Sequence, residues 1–157
     1  MSVNLQGLKD NARKTAITEL QACMADGTSL SLALKQAHWN VKGPNFIAVH
    51  ELLDQVKARL DPNLDDMAER IQQLDGRALG TVEEVAQAAS LAPYPIDLTA
   101  VEDHVREIAD RLRGYGERVR KAIDTVDEAG DADSADILTA ASRQADKDLW
   151  FIEAHRG

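Results

Sequence analysis

The sequence contains few cysteine, proline and aromatic residues, and it has no long apolar run. Cys23 is the one cysteine among 157 residues, so no disulfide forms within the chain, as expected in a reducing compartment. With 4% aromatic residues and only four prolines, the hydrophobic content of 44% favours helices over a sheet sandwich. No segment approaches the roughly 20 apolar residues that span a membrane, and the N-terminus lacks an apolar signal-peptide core. We therefore expect a helical cytoplasmic protein without a membrane partner.

The charge of the chain is strongly negative. It carries 27 acidic and 18 basic residues, for a formal net charge of −9. Such a surface repels phosphate backbones and attracts cations. The basic residues near the N-terminus are few, namely Lys9, Arg13 and Lys14. DNA binding is therefore disfavoured, although it stays open as an alternative.

Apolar residues recur at helical spacing in four long segments. The first predicted helix runs from about Leu5 to Trp39, with poor helix formers at 26–29. The alternation of leucines at 30, 32 and 34 leaves a short strand open as an alternative there. The second predicted helix runs from Asn45, as its N-cap, to about Leu74.

The second half of the chain contains two more long helices. The third is predicted from 97 or 99 to about Val126, and an acidic linker at 127–134 separates it from the fourth, whose apolar positions run from Ile137 to Ile152. Before them, Thr81 and Glu84 form a capping-box pattern for a short helix that ends near Ala89.

Four helices with one long connection between the second and third define the predicted fold. It is all-α, a ferritin-like four-helix bundle with a short extra helix in the crossover. We expect one domain over residues 1–157, with a short N-terminal tail at about 1–4.

Two pairs of candidate metal ligands lie on the second predicted helix. His50 and Asp54 are four residues apart, as are Asp65 and Glu69, so each pair shares a helical face about 6 Å apart. Asp54 and Asp65, however, are about 16 Å apart along the axis at 1.5 Å per residue. If both pairs bind one centre, they come from different copies of the helix, most simply two antiparallel copies about a two-fold axis.

A bland interpretation exists for each ligand considered alone. A single histidine usually packs or lies on the surface, and an acidic i,i+4 pair is usually solvated. Pro62 lies between the two pairs, and a proline within a helix removes a hydrogen bond and causes a kink. A broken helix would displace Asp65 and Glu69, which leaves a metal-poor structural shell as an alternative.

Three sequence segments resemble the Dps family, the bacterial mini-ferritins. They are KQAHWNVKGPNFIAVHELLD, DDMAERIQQLDGRALGT and ADILTAASRQADKDLWFIE, with the AHWN, FxxxHExLD and DxxAERI patterns among them. The resemblance covers nearly the whole chain from about Thr15.

The resemblance implies a di-iron ferroxidase centre at a two-fold interface. One subunit supplies His38, His50 and Asp54, and its neighbour supplies Asp65 and Glu69. It also implies a hollow dodecamer that oxidises Fe(II), preferably with hydrogen peroxide, stores ferric mineral and protects against oxidative stress. A nucleoid-associated protein that binds and compacts DNA, with secondary iron activity, is the alternative.

Further residues receive roles through the same resemblance. It implies that Trp39 and Trp150 intercept stray oxidising equivalents, while simple packing of both remains open. It also implies a pore that admits iron, for which we expect Asp131, Asp133 and Asp136; alternatively, these acids only complement a helix dipole. His104 and His155 lack partners in the ligand pattern and are predicted to be structural.

Overall fold

The computed structural model describes residues 7–156 and contains five α-helices within them. Their bounds are Asp10–Asn40 (α1), Phe46–Gln73 (α2), Val82–Ala88 (α3), Val101–Ala129 (α4) and Ala132–Glu153 (α5). The four long helices form a bundle in which α1 packs on α2 and α4, and α5 packs on α4 and α2. The short α3 crosses against α1. The predicted all-α bundle with a helix in the crossover is confirmed.

The bundle core draws large buried side chains from all four long helices. They include Leu20, Leu34, Leu53, Met67, Ile108, Tyr115, Leu138 and Ile152. Burial of these apolar stripes is the main force that holds the helices together. None of the helices between residues 7 and 156 combines the length and apolar character needed to cross a bilayer.

The poor helix formers near position 26 do not interrupt α1, because they make tertiary contacts. Asp26 is buried, and its carboxylate accepts hydrogen bonds from the amide and hydroxyl of Ser90, just past the end of α3. A Cβ on Gly27 would clash with Leu64 Cδ2 and lie 3.2 Å from the Tyr115 ring. The leucines at 30–34 are helical, so the short-strand alternative is wrong.

The second helix is continuous across Pro62, so the proline does not break it. The alternative of a metal-poor structural shell assumed a broken helix, and that assumption is wrong. The start of this helix differs from the prediction in one respect, the conformation of Asn45. Asn45 adopts φ +60°, in the left-handed region, and its side chain makes no capping hydrogen bond. A capping side chain normally projects from extended backbone, which Asn45 does not have. Asn45 thus occupies the N-cap position as predicted, but its side chain does not cap the helix.

Helix bounds in the second half differ from the prediction at two places. The α4 helix begins at Val101, because Thr99 O first accepts a hydrogen bond from Lys42 N at 2.7 Å. It then continues to Ala129, so the predicted linker shrinks to two residues, of which Gly130 takes φ +97°. Glycine is suited to this left-handed cap.

The predicted cap at Thr81 is confirmed for one of the two capping-box bonds, since the Thr81 hydroxyl accepts from Glu84 N at 3.4 Å. Leu5 and the tail predicted at about 1–4 lie outside the described residues.

We expect Gly27→Ala to lower stability although alanine is the better helix former. The new methyl would overpack the core at a cost of about 1–3 kcal/mol, against a propensity gain of up to about 1 kcal/mol. Gly116→Ala is the matched control, because its Cβ would meet Arg120 Nη1 at an ordinary 3.5 Å. Thermal unfolding at one subunit concentration should rank Gly116→Ala above Gly27→Ala. Equal melting temperatures would contradict the proposed role of Gly27.

Candidate metal centre

His38 and His50 are joined by two reciprocal hydrogen bonds between the end of α1 and the first turns of α2. His38 Nδ1 lies 2.7 Å from His50 O, and His50 Nδ1 lies 2.8 Å from His38 O. A carbonyl oxygen only accepts, so each Nδ1 carries a proton and donates it. In the neutral rings each Nε2 therefore keeps its lone pair. The backbone thus orients two imidazoles for metal binding through Nε2.

Asp54 adds a carboxylate to the histidine pair. Its Oδ2 lies 3.4 Å from His38 Nε2, and the two imidazole rings stack with centroids 3.6 Å apart. Because His38 carries its proton on Nδ1, its Nε2 and Asp54 Oδ2 face each other with lone pairs only. This arrangement is favourable only with a proton or a cation between the two atoms. Two ligands of a first-row divalent ion, each about 2.1 Å from it, lie roughly 3–3.5 Å apart. The donor atoms and their spacing fit such an ion.

Lys35 completes the electrostatics of this cluster. Its Nζ donates to Asp54 Oδ1 at 2.7 Å from the preceding turn of α1. This hydrogen bond holds the pKa of Asp54 below its ordinary value, with a smaller contribution from His38. The carboxylate is therefore anionic at neutral pH. Lys35 was not among the predicted site residues, although its position three residues before His38 places both on one helical face.

Asp65 and Glu69 lie further along α2, on the far side of Pro62, and both are exposed. Because α2 is continuous, Asp54 and Asp65 remain about 16 Å apart along its axis. Within residues 7–156, no three His, Cys, Asp or Glu side chains converge closely enough to hold an ion by themselves. One chain thus brings Asp54 to His38 and His38 to His50, an open cluster that is not a complete ion site, and leaves the second pair apart.

Both tryptophans are exposed in the chain. Trp39 is 67% and Trp150 is 66% accessible, so packing within one chain does not account for either. Lys35 Nζ lies 5.6 Å from the centre of the Trp39 ring, and Trp150 lies beside Phe151. Trp39 therefore borders the histidine and aspartate cluster. The redox role of the two tryptophans stays a prediction.

The three predicted pore aspartates have different surroundings. Asp131 is buried, accepts from Arg70 Nη2 at 2.9 Å and caps α5 by accepting from Ser134 N. Its expected place in a solvent-facing funnel is wrong, because its charge is neutralised inside the protein. Asp133 and Asp136 are exposed in the first turns of α5, and their pore role stays a prediction.

His104 is structural, as the sequence analysis predicted. It is buried, accepts from the Tyr94 hydroxyl at Nδ1 and donates from Nε2 to Leu98 O. Burial lowers its pKa, which favours the neutral ring. His155 is exposed near the C-terminus.

Comparison with known proteins agrees with this architecture. Residues 17–157 match the family described as the ferritin-like domain. The chain is 49% identical over 148 residues to a "DNA protection during starvation protein" of Agrobacterium fabrum, covering 94% of this chain and 91% of that relative. It is 32% identical over 154 residues to a protein of the same name from Mycolicibacterium smegmatis, covering 98% and 84%.

Solved structures give the same result. A Dps structure from Mycobacterium smegmatis aligns with a TM-score of 0.92 at 32% identity, covering 96% of this chain and 92% of that one. Dps from Microbacterium arborescens in a high-iron form aligns with a TM-score of 0.87 at 35% identity, covering 94% and 95%. The fold is thus that of a ferritin-like protein. Within that class, the chain is a member of the Dps family.

We expect Asp131→Ala to destabilise the bundle strongly while Asp133→Ala does not. Removing Asp131 leaves Arg70 buried without its carboxylate partner, which costs about 3–5 kcal/mol in comparable pairs. Asp133 is the matched control, because its side chain is 87% exposed and 3.9 Å from the same guanidinium. Thermal unfolding of both variants measures the difference. Similar melting temperatures would contradict a structural role for Asp131.

Proposed function

We propose that this protein is a mini-ferritin that oxidises Fe(II), preferably with hydrogen peroxide, and stores the ferric product inside a hollow dodecamer. The chain would form one ferritin-like domain in that assembly. The observation that carries the proposal is the cluster of His38, His50 and Asp54. Two imidazoles with backbone-fixed tautomers keep their Nε2 lone pairs, and that of His38 lies beside an anionic carboxylate.

A second copy of the chain would complete the centre. The distance along α2 prevents Asp65 and Glu69 from reaching the cluster of their own chain. A two-fold axis that places two α2 helices antiparallel would bring Asp65 and Glu69 of each copy to the cluster of the other. Their exposure within one chain is consistent with this use. Two equivalent centres would then form at each two-fold interface.

The ligand set suits the proposed chemistry. Carboxylate oxygens are hard ligands that bind Fe(II) and favour Fe(III) more strongly, while imidazole is well suited to iron. Two Fe(II) ions would supply two electrons to one hydrogen peroxide, which yields two Fe(III) ions and two hydroxide ions. Paired electron transfer avoids the release of hydroxyl radical. Trp39, next to His38, would donate an electron to any oxidant that escapes this pairing.

Fe(II) would be drawn to the shell by its negative charge. The chain has a net charge of −9, and Asp133 and Asp136 are exposed at the start of α5. We place these two carboxylates around the pore that admits iron, where a ring of like charges raises the local cation concentration.

Direct DNA binding is the weaker candidate. Of the few basic residues near the N-terminus, Arg13 is already paired with Asp10 at 3.2 Å and with Asp75 at 3.8 Å. Each phosphate contact requires an available cation. The protection that the names of the relatives describe would here come from removal of Fe(II) and peroxide.

The proposed centre and pore have different salt dependences, which separates them in one experiment. His50→Ala removes a ligand and should lower the initial oxidation rate at least about tenfold at every salt concentration. Asp136→Asn should slow oxidation at low salt only, because about 1 M salt shortens the screening length to about 3 Å. Protein and peroxide are mixed anaerobically, Fe(II) is added last so that its entry is part of the measured rate, and the initial rate is recorded against salt concentration.

Matched controls are His155→Ala, an exposed histidine outside the cluster, and Glu83→Gln, an exposed acid on α3. Both should behave as wild type. A wild-type rate for His50→Ala would contradict the proposed centre. Equal rates for wild type and Asp136→Asn at all salt concentrations would contradict the pore role. Asp136 would then only complement the helix dipole.

A further inference from the structure

We propose that Lys35 weakens cation binding at the histidine and aspartate cluster by competing for Asp54. This inference rests on the proposed function, since it concerns the same centre. The inference is based on the ion pair between Lys35 and Asp54, in which the ammonium lies 2.7 Å from Oδ1. Asp54 does not need this ion pair in order to bind a metal.

The two oxygens of Asp54 face different groups. Oδ1 accepts from Lys35 Nζ, whereas Oδ2 is directed to His38 Nε2 at 3.4 Å. A cation shared by His38 and Asp54 therefore approaches Oδ2 alone. While Lys35 stays in place, the carboxylate neither chelates one ion through both oxygens nor bridges two ions.

Charge acts in the same direction as geometry. A protonated lysine has three donors and no acceptor, so it does not bind metal itself. It offsets the negative charge of Asp54 and repels a divalent ion nearby. The Lys35 and Asp54 side chains are 25% and 46% exposed, so solvent screens this repulsion and the effect is moderate.

A simple structural role for Lys35 is the competing explanation. In that explanation, the Lys35–Asp54 ion pair serves only to hold α1 against α2. However, the reciprocal bonds of His38 and His50 already join the same two helices at this level. The ammonium also lies 5.6 Å from the Trp39 ring, so a lysine displaced from Asp54 keeps a cation–π contact. Because this contact is replaceable, an incoming cation can displace Lys35 from Asp54. The weaker cation binding that results would let cations pass through the centre without remaining there.

Titration with Co(II), a divalent probe that peroxide-free buffer leaves unoxidised, tests the inference on the assembled protein. Affinity and stoichiometry are measured by calorimetry, and the visible spectrum of Co(II) reports its ligands. Two neutral variants, Lys35→Met and Lys35→Gln, should bind at least about tenfold more tightly than wild type, equivalent to about 1.4 kcal/mol. Lys35→Arg keeps the charge and should stay close to wild type.

Lys57→Gln is the matched control, because Lys57 forms a comparable ion pair with Asp61 on α2 away from the histidines. It should bind Co(II) as wild type does. Wild-type or weaker affinity in both neutral variants would overturn the inference, as would an equal gain in Lys35→Arg.

A His50→Ala arm separates failure of the inference from failure of the proposed function. If wild type and His50→Ala bind Co(II) alike, the centre itself is wrong. If His50→Ala loses binding while the neutral Lys35 variants show no gain, the centre stands and only the role of Lys35 is overturned.

Discussion

The proposed metal centre depends on one constraint, which is that α2 runs without a break. Its 28 residues carry both candidate ligand pairs at a fixed axial separation, and Pro62 does not change this. A helix of this kind behaves as a rod with a rise of 1.5 Å per residue. Asp65 and Glu69 therefore lie beyond the reach of the cluster on their own chain. The proposed centre would therefore require a second copy, and the proposed activity would be linked to assembly.

Polar contacts between helices fix the rest of the chain around this rod. Reciprocal hydrogen bonds join α1 to α2 at His38 and His50, and Asp26 holds the end of α3 against α1. At the opposite end of α2, Arg70 is bound to Asp131 at the start of α5. Such pairs are costly to leave half-made, so they specify one arrangement of the helices. The open ligand cluster is consequently presented on a rigid support.

Much of the fold and part of the site could be predicted from local sequence. Helical periodicity located the four long helices within a few residues at most ends, because an amphipathic stripe depends on neighbours three and four positions apart. The capping-box pattern at Thr81 located the short α3. The same periodicity placed His50 beside Asp54. His38 came from family resemblance, and the structure brings it to the same cluster.

What local sequence did not predict depends on partners far along the chain. Asp26 looked like a helix breaker because Ser90, its partner, is 64 residues away. Asp131 looked like a pore residue because its pairing with Arg70 spans 61 residues. The position of Lys35 three residues before His38 placed it on the same helical face, but its contact with Asp54 depends on the packing of α1 against α2. In each case a charged side chain takes its role from tertiary packing, which periodicity does not reveal.

Complementation between two inactive variants tests the central claim, a centre shared by two copies, most directly. His50→Ala and Glu69→Gln subunits are coexpressed so that they assemble together, and peroxide-dependent Fe(II) oxidation is compared with each variant alone and with a mixture of preassembled shells. With random pairing, half of the two-fold interfaces are mixed, and each of these has one intact centre out of two. We therefore predict recovery of about a quarter of the wild-type rate in the coassembled shells only. No recovery above the single variants, in shells verified to contain both subunits, would contradict a shared centre.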